Sequence, residues 1–307
     1  MFKGNTFYKY AVKKKAKHLL HLPFEVSIKV QSLSNEIEQH LVNFIDLAKS
    51  YFEEERGFNK NEKHTFLEQL YVLKDGIINT LRTKDYQPIK EALDNIQFID
   101  CAPKYELTSD EHLFRSRPGI HTMVNEFYHP PFDNKTINSK NGRFDTQDCI
   151  SWYLGRSEKV CKLEIHRNNK EKTYSTISLH LKREESFPQI VDMTSEAIHT
   201  QKNSECEYEI VLFPLFLACY CLTKNKEIER DIYLIPQFLA RYIHENREKM
   251  KVIGIQYFTV RNEGLNPSEN IYKNICIFPE ESNKSEDGYD MTLMNKFEFG
   301  KPKLYLI

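Results

Sequence analysis

Residues 142–164 read GRFDTQDCISWYLGRSEKVCKLE, and this stretch carries the clearest functional pattern in the chain. It opens on Gly142-Arg143, passes through the aromatic pair Trp152-Tyr153 and ends on Glu164. Tyr153 follows Arg143 by ten positions (153 − 143), and Glu164 follows Tyr153 by eleven (164 − 153). Taken singly, Arg143 is typical of a surface charge, Tyr153 of a core aromatic and Glu164 of a solvent-facing helix position.

Further segments flank this stretch in a regular order. No single one is specific, because a short motif such as Gly-Arg-Phe also occurs by chance. Together they run from an Arg-x-Arg segment to a strand that begins with asparagine. They are Phe114-Arg115-Ser116-Arg117, Pro130-Pro131, Ile190-Val191-Asp192, Tyr233 with Pro236-Gln237, Gly254-Ile255 with Tyr257 and Thr259, and Asn274 through Phe278.

In order and spacing, these segments resemble the RES domain family, named for its Arg, Glu and Ser residues, over about residues 105–280. The resemblance implies an α+β fold with the split β-sheet of ADP-ribosyltransferases. It also implies a toxin enzyme that cleaves NAD at the nicotinamide–ribose bond, by hydrolysis, phosphorolysis or ADP-ribosyl transfer. NAD is then the substrate, no metal is needed, and an antitoxin or regulatory protein is an expected partner.

The resemblance also implies roles for five residues. Arg143, with Arg115 as a second ligand, is expected to bind the diphosphate, because guanidinium groups bind phosphate in a bidentate way. Tyr153 is expected to stack on the cationic nicotinamide ring. Glu164 is expected to bind ribose hydroxyls and stabilise the oxocarbenium ion that forms as nicotinamide leaves. Thr259 stands where the family has its serine, which keeps the hydroxyl but adds a methyl group.

Hydrophobic periodicity divides the chain into two regions. Residues 34–98 show apolar positions at steps of three and four, typical of amphipathic helices, and a helix start is expected at Pro88. After residue 103, short β-rich segments alternate with loops. Strands are expected at 177–181, 190–193, 254–260 and 275–278. A buried helix is expected at 210–222, with a helix broken at Pro214 as the alternative. We therefore predict an α-helical N-terminal region, 1–104, and an α+β RES-like domain, 105–307.

Composition excludes several other classes. The 43 basic and 44 acidic side chains nearly cancel, which argues against a nucleic-acid-binding protein. The longest apolar run, 210–222, is interrupted by Pro214 and is shorter than the ~20 residues of a membrane-spanning helix. Seven dispersed cysteines fit a reducing compartment and lack the spacing of a zinc site. A cytoplasmic protein without a membrane-spanning segment or a metal site is expected.

Two other functions remain open at this stage. The threonine at position 259 is compatible with a sensor that binds NAD or another nucleotide without turnover. The helical N-terminal region is compatible with an interaction module that docks a protein partner. Nicotinamide release would separate an enzyme from a sensor, and copurification of a partner would identify a docking role.

Overall fold

The structure is a computed structural model. It describes residues 6–27, 32–54, 59–133, 142–145, 150–166, 173–183, 189–194, 206–224, 228, 230–260 and 270–306. These fall into two compact units, one drawn from 1–102 and 198–242 and the other from 103–197 and 243–307. The expected division after residue 104 remains a prediction.

Helices and strands alternate irregularly along the chain. The described helices are α1 (Thr6–Lys13), α2 (Leu33–Glu54), α3 (Lys60–Thr83), α4 (Gln87–Asn95), α5 (Phe98–Cys101), α6 (Glu158–His166), α7 (Cys206–Cys219), α8 (Leu234–Glu245), α9 (Arg247–Met250) and α10 (Met291–Met294). The described strands are β1 (Phe24–Val26), β2 (Lys104–Tyr105), β3 (His112–Pro118), β4 (Trp152–Gly155), β5 (Thr173–Leu181), β6 (Gln189–Asp192), β7 (Cys221–Thr223), β8 (Val252–Phe258), β9 (Lys273–Ile277), β10 (Phe297–Phe299) and β11 (Lys303–Leu306).

The first unit is mainly helical, as the periodicity predicts. The apolar stripe of α2 is buried. Asn59 caps α3 by accepting hydrogen bonds from the backbone N–H groups of Asn61 and Glu62. Pro88 lies in the first turn of α4, where a proline costs no helical hydrogen bond. The expected helices of the N-terminal region are therefore confirmed.

The apolar run at 210–222 behaves differently from the expected single helix. α7 continues through Pro214 but ends at Cys219, and residues 221–223 form β7, which pairs in parallel with β1. The helix ends there because the backbone of Cys221 and its neighbours takes hydrogen-bond partners from another strand. Among the described residues, every helix is too short or too polar to cross a lipid bilayer.

The second unit is built on one mixed sheet, in the order β10-β5-β3-β4-β9-β8-β6-β2, with β11 also pairing with β5. The β6–β8 pair is parallel, and the other pairs of this sheet are antiparallel. The strands expected at 177–181, 190–193, 254–260 and 275–278 correspond to β5, β6, β8 and β9. An α+β fold with a helical N-terminal region is thus confirmed.

The two faces of this sheet differ in chemistry. Residues directly opposite one another on antiparallel strands project to the same face. Trp152 lies opposite Ile277 and belongs to the main apolar core of the unit. Tyr153 lies opposite Cys276 and therefore projects to the other face. That second face carries the polar residues considered below.

His129 makes the stability of the second unit depend on pH. Its ring is fully buried; Nδ1 donates to the Pro130 carbonyl (2.7 Å) and Nε2 accepts from the Asp290 backbone N–H (2.7 Å). Burial lowers the pKa of His129 from 6.5 to about 4, because a second ring proton would have no acceptor and would face the Asp290 N–H.

We expect the neutral ring to stabilise the fold fully above pH 6.5, the unfolded value, and progressively less as the pH falls towards 4. The contribution to the slope is up to about 1.4 kcal/mol per pH unit. Urea unfolding of the wild type and of His129→Gln between pH 7 and 4.5 measures it. Equal slopes for the two proteins would show that His129 is not the group responsible.

Candidate functional site

Glu164, Thr259 and Asn274, here called the Glu164 cluster, meet on the second face of the sheet. Thr259 Oγ1 donates to Glu164 Oε1 at 2.7 Å, and Asn274 Nδ2 donates to the same oxygen at 3.1 Å. The donors lie 95 and 110 positions from Glu164 in sequence. Two donors on one carboxylate oxygen fix the orientation of the side chain.

The backbone places each member of this cluster. Thr259 follows the end of β8, and its N–H donates to the Tyr272 carbonyl (2.9 Å). Asn274 is buried in β9, opposite Tyr257 of β8 on one side and Gly155 of β4 on the other. Glu164 is therefore held by the residue that follows β8 and by the second residue of β9.

Helix α6 brings Glu164 to this point. Ser157 Oγ accepts from the Val160 N–H at 3.1 Å, which caps the helix start. Gly155 allows the helix to lie close to β4, since a Cβ there would lie 2.5 Å from Val160 Cγ1 and 2.6 Å from Cys161 Sγ. Glu164, which taken singly is typical of a solvent-facing helix position, instead contacts the sheet.

Residues 142–145, here called the arginine turn, are anchored by Tyr153. The Tyr153 hydroxyl accepts from the Phe144 N–H at 3.1 Å, and the Asp145 carboxylate accepts from the Gly142 N–H at 2.7 Å. A Cβ on Gly142 would lie 2.5 Å from Asp145 Oδ2 and 2.7 Å from Tyr153 Oη, so the turn requires glycine. Arg143 is buried within this turn.

Tyr257, which lies opposite Asn274 in the β8–β9 pair, packs beside the arginine turn. Its ring lies 4.8 Å from that of Phe144 and 6.5 Å, edge-on, from that of Tyr153, measured between centroids. Burial, followed by the nearby Cys276 and Asp145, raises the pKa of the Tyr153 hydroxyl. Tyr153 is therefore a neutral hydrogen-bonding group in this site.

Arg115 reaches the same region from β3. Strands β3 and β4 share a single residue pair, Phe114 with Gly155. The Arg115 guanidinium donates from Nη1 to the Tyr153 carbonyl at 2.9 Å. A side chain thus takes the place of a backbone donor on this stretch of β4.

The structure brings four of the five residues predicted from the sequence to one face of the sheet, in two groups: Glu164 bonds to Thr259, and Tyr153 anchors the turn that bears Arg143. Arg115 leaves β3 on the Trp152 face, because its neighbour Phe114 is paired with Gly155, and it reaches the second group only through the Tyr153 carbonyl. Sequence reasoning assigned no role to Asn274 or Tyr257. Their signal was an amide and a phenol in strands of mainly apolar residues, but their partners are known only once β8 and β9 are paired.

Chemically, the site combines a hydrogen-bonded carboxylate with arginines and aromatic rings. Among the described residues, no group of three His, Cys, Asp or Glu side chains is placed to hold a metal ion. Comparison with protein-family models, curated proteins and solved structures finds no match.

Removing the Tyr153 hydroxyl tests its role as the anchor of the arginine turn. Tyr153→Phe leaves the Phe144 N–H without its acceptor, so we expect a loss of about 1–3 kcal/mol in the free energy of unfolding. Urea unfolding measures it, with the exposed Tyr71→Phe as control. A Tyr153→Phe protein as stable as the control would show that the hydroxyl does not support the turn.

Proposed function

We propose that this chain cleaves NAD at the bond between nicotinamide and ribose, as an ADP-ribosyltransferase-like enzyme of the RES type. The observation that carries the proposal is the Glu164 cluster, in which Thr259 and Asn274 both donate to Glu164 Oε1. The carboxylate lies on the same face of the sheet as Tyr153, which anchors the turn that bears Arg143.

Cleavage of NAD at this bond needs neither a metal nor an activated protein nucleophile. The pyridinium ring is already a cationic leaving group, and it departs with the bonding electron pair as neutral nicotinamide. Positive charge then develops on the ribose as an oxocarbenium ion. A fixed carboxylate stabilises that charge most when its orientation is set beforehand, because no reorganisation is then needed. The two donors on Glu164 supply such an orientation.

The arginines suit the opposite end of the substrate. Arg143 and Arg115 both lie beside Tyr153, one on the turn that it anchors and one on its carbonyl. Guanidinium groups bind diphosphate oxygens in a bidentate way and remain charged at neutral pH. We assign the diphosphate of NAD to these two residues and the nicotinamide ring to the aromatic group of Tyr153.

Thr259 acts in this proposal through Glu164. Its hydroxyl donates to the carboxylate, so it orients the group that faces the ribose. Threonine can make the same hydrogen bond as the serine found in the family. We therefore expect the methyl group to be compatible with turnover.

The single residue pair between β3 and β4 supports the split-sheet architecture that this family implies. In the proposal, residues 105–307 form the RES-like domain, and a cytoplasmic toxin paired with an antitoxin is its biological context. The acceptor of the ADP-ribosyl group is water, phosphate or a protein side chain.

Release of nicotinamide from NAD by the purified chain tests the function, with and without phosphate in the buffer. We expect free nicotinamide, with ADP-ribose as coproduct if water is the acceptor and ADP-ribose 1-phosphate if phosphate is. NAD that stays intact for hours at micromolar protein would rule out NAD consumption without an added acceptor. NAD binding without release would instead identify a sensor.

A further inference from the structure

Arg115 and Arg117 of β3 are enclosed without an acidic partner. They are two positions apart on one strand, so their side chains leave it on the same side. Arg115 Nη1 donates to the Tyr153 carbonyl (2.9 Å) and Arg117 Nη2 to the Tyr128 carbonyl (3.0 Å). Both Nε atoms are buried without an acceptor, and no carboxylate of the described residues lies within 4.0 Å of either guanidinium.

Two enclosed cations with one neutral acceptor each are energetically unfavourable. Burial, and then the charge of Arg117, lowers the pKa of Arg115; burial likewise lowers the pKa of Arg117. Glu126, a carboxylate whose charge acts weakly on Arg117, accepts from the Thr122 and Met123 N–H groups and makes no ion pair with Arg117. The charge of this pair is therefore left uncompensated by the described part of the chain.

Arg156 of the same unit shows how a buried arginine is usually compensated, by acidic and amide acceptors of the chain. Its side chain is only 8% exposed, yet Nη1 pairs with Glu111 Oε1 at 2.6 Å, and Nε and Nη2 donate to Gln256 Oε1 at 3.1 and 2.6 Å. The chain thus supplies acceptors for a buried arginine where the role is structural. The contrast indicates that Arg115 and Arg117 bind an acceptor that the chain itself does not supply.

We propose that Arg115 and Arg117 form a binding site for a phosphate-type oxyanion. Phosphate provides several oxygens that match the N–H groups of a guanidinium, and its charge compensates the pair. Both residues keep part of their surface exposed, so a ligand can reach them. His129, which lies within electrostatic range of Arg115, is neutral near pH 7 and adds no third positive charge to the site.

The phosphate has two possible sources: the diphosphate of a dinucleotide, or free inorganic phosphate. The dinucleotide form rests on the proposed function and adds Arg117 to the residues that bind NAD. The anion site itself does not depend on cleavage. Calorimetric titrations with inorganic phosphate, pyrophosphate and ADP-ribose distinguish the sources, because only the preferred ligand binds tightly.

The decisive variant is Arg117→Gln, which removes one charge of the pair and leaves Arg115 in place. We expect its dissociation constant for the preferred anion to rise by about tenfold or more, as for the loss of one charge-assisted contact. Arg82→Gln is the control, since it removes a partly exposed charge that pairs with Glu38 in the other unit. Its affinity should equal that of the wild type.

Thermal melting tests whether the Arg117→Gln variant is folded. Without ligand, Arg117→Gln should melt at or above the wild-type temperature, because an unpaired buried charge is removed. Pyrophosphate or phosphate at millimolar concentration should raise the melting temperature of the wild type more than that of Arg117→Gln. If Arg117→Gln does not fold, Arg117→Lys, which keeps the charge but not the planar geometry, replaces it in the same titrations.

Equal affinity in wild type and variant, or no anion binding by the wild type at millimolar concentration, overturns the anion site. Nicotinamide release without binding that depends on Arg117 rejects this inference and leaves the proposed function intact. Anion binding that depends on Arg117, without nicotinamide release, supports the anion site and rejects NAD cleavage by the purified chain.

Discussion

Glu164→Gln is expected to lower the rate of nicotinamide release by about 10²–10³-fold, by analogy with the removal of one preorganised electrostatic contact to a transition state. The amide oxygen of glutamine can still accept from Thr259 Oγ1 and Asn274 Nδ2, so the local structure should persist. The negative charge near the developing oxocarbenium ion is lost. Steady-state release of nicotinamide, measured for both proteins at saturating NAD, gives the ratio of kcat values.

Glu158→Gln is the matched control, because Glu158 starts the same helix and contacts Tyr305 and Lys303 at the surface. We expect it to retain wild-type turnover. Binding of ADP-ribose should be similar in all three proteins, since the diphosphate contacts are assigned elsewhere. Nicotinamide release by Glu164→Gln at the wild-type rate would remove Glu164 from the mechanism.

Trp152→Ala is expected to lower the free energy of unfolding by about 3–5 kcal/mol, the range for truncation of a large core aromatic. Trp152 is fully buried in the main core of the second unit, and its ring packs edge-on against Phe297 at 5.4 Å between centroids. Its indole N–H also donates to the Phe127 carbonyl at 3.1 Å. Truncation therefore removes apolar contacts and leaves a buried acceptor unpaired.

Trp152→Phe separates these two effects. Phenylalanine fills part of the same space but cannot donate, so we expect a smaller loss, of about 1–3 kcal/mol from the unpaired carbonyl. Urea unfolding at pH 7, followed by circular dichroism, measures both variants. A loss below 1 kcal/mol for Trp152→Ala would mean that the core does not depend on the β4 side chain.

Several features could be predicted from the sequence because they depend on short-range patterns. The apolar steps of three and four in residues 34–98 are sufficient for amphipathic helices, because one stripe must be buried. The alternation at Ile177 and Leu179 is sufficient for a strand with one buried face. The order of Arg143, Tyr153 and Glu164 was also visible, as positions along one chain.

The apolar run at 210–222 shows a feature that hydrophobic patterns do not predict. Its uniform apolar character predicts burial but not whether a residue is helical or extended, because both conformations bury such a segment. The change from α7 to β7 depends on β1, about 200 positions earlier in the chain, which offers hydrogen-bond partners to Cys221. Tertiary pairing therefore decided the local conformation.

For the candidate site, the sequence by itself determined which residue types are present and which segments are strands or helices. Only the tertiary structure decided that Thr259 and Asn274 share one oxygen of Glu164, and that Arg117 lies enclosed beside Arg115 without an acid. The physical reason is that hydrophobic patterns specify which face of an element is buried. The register of β8 on β9 and the placement of α6 on β4 specify which polar side chains meet on the other face.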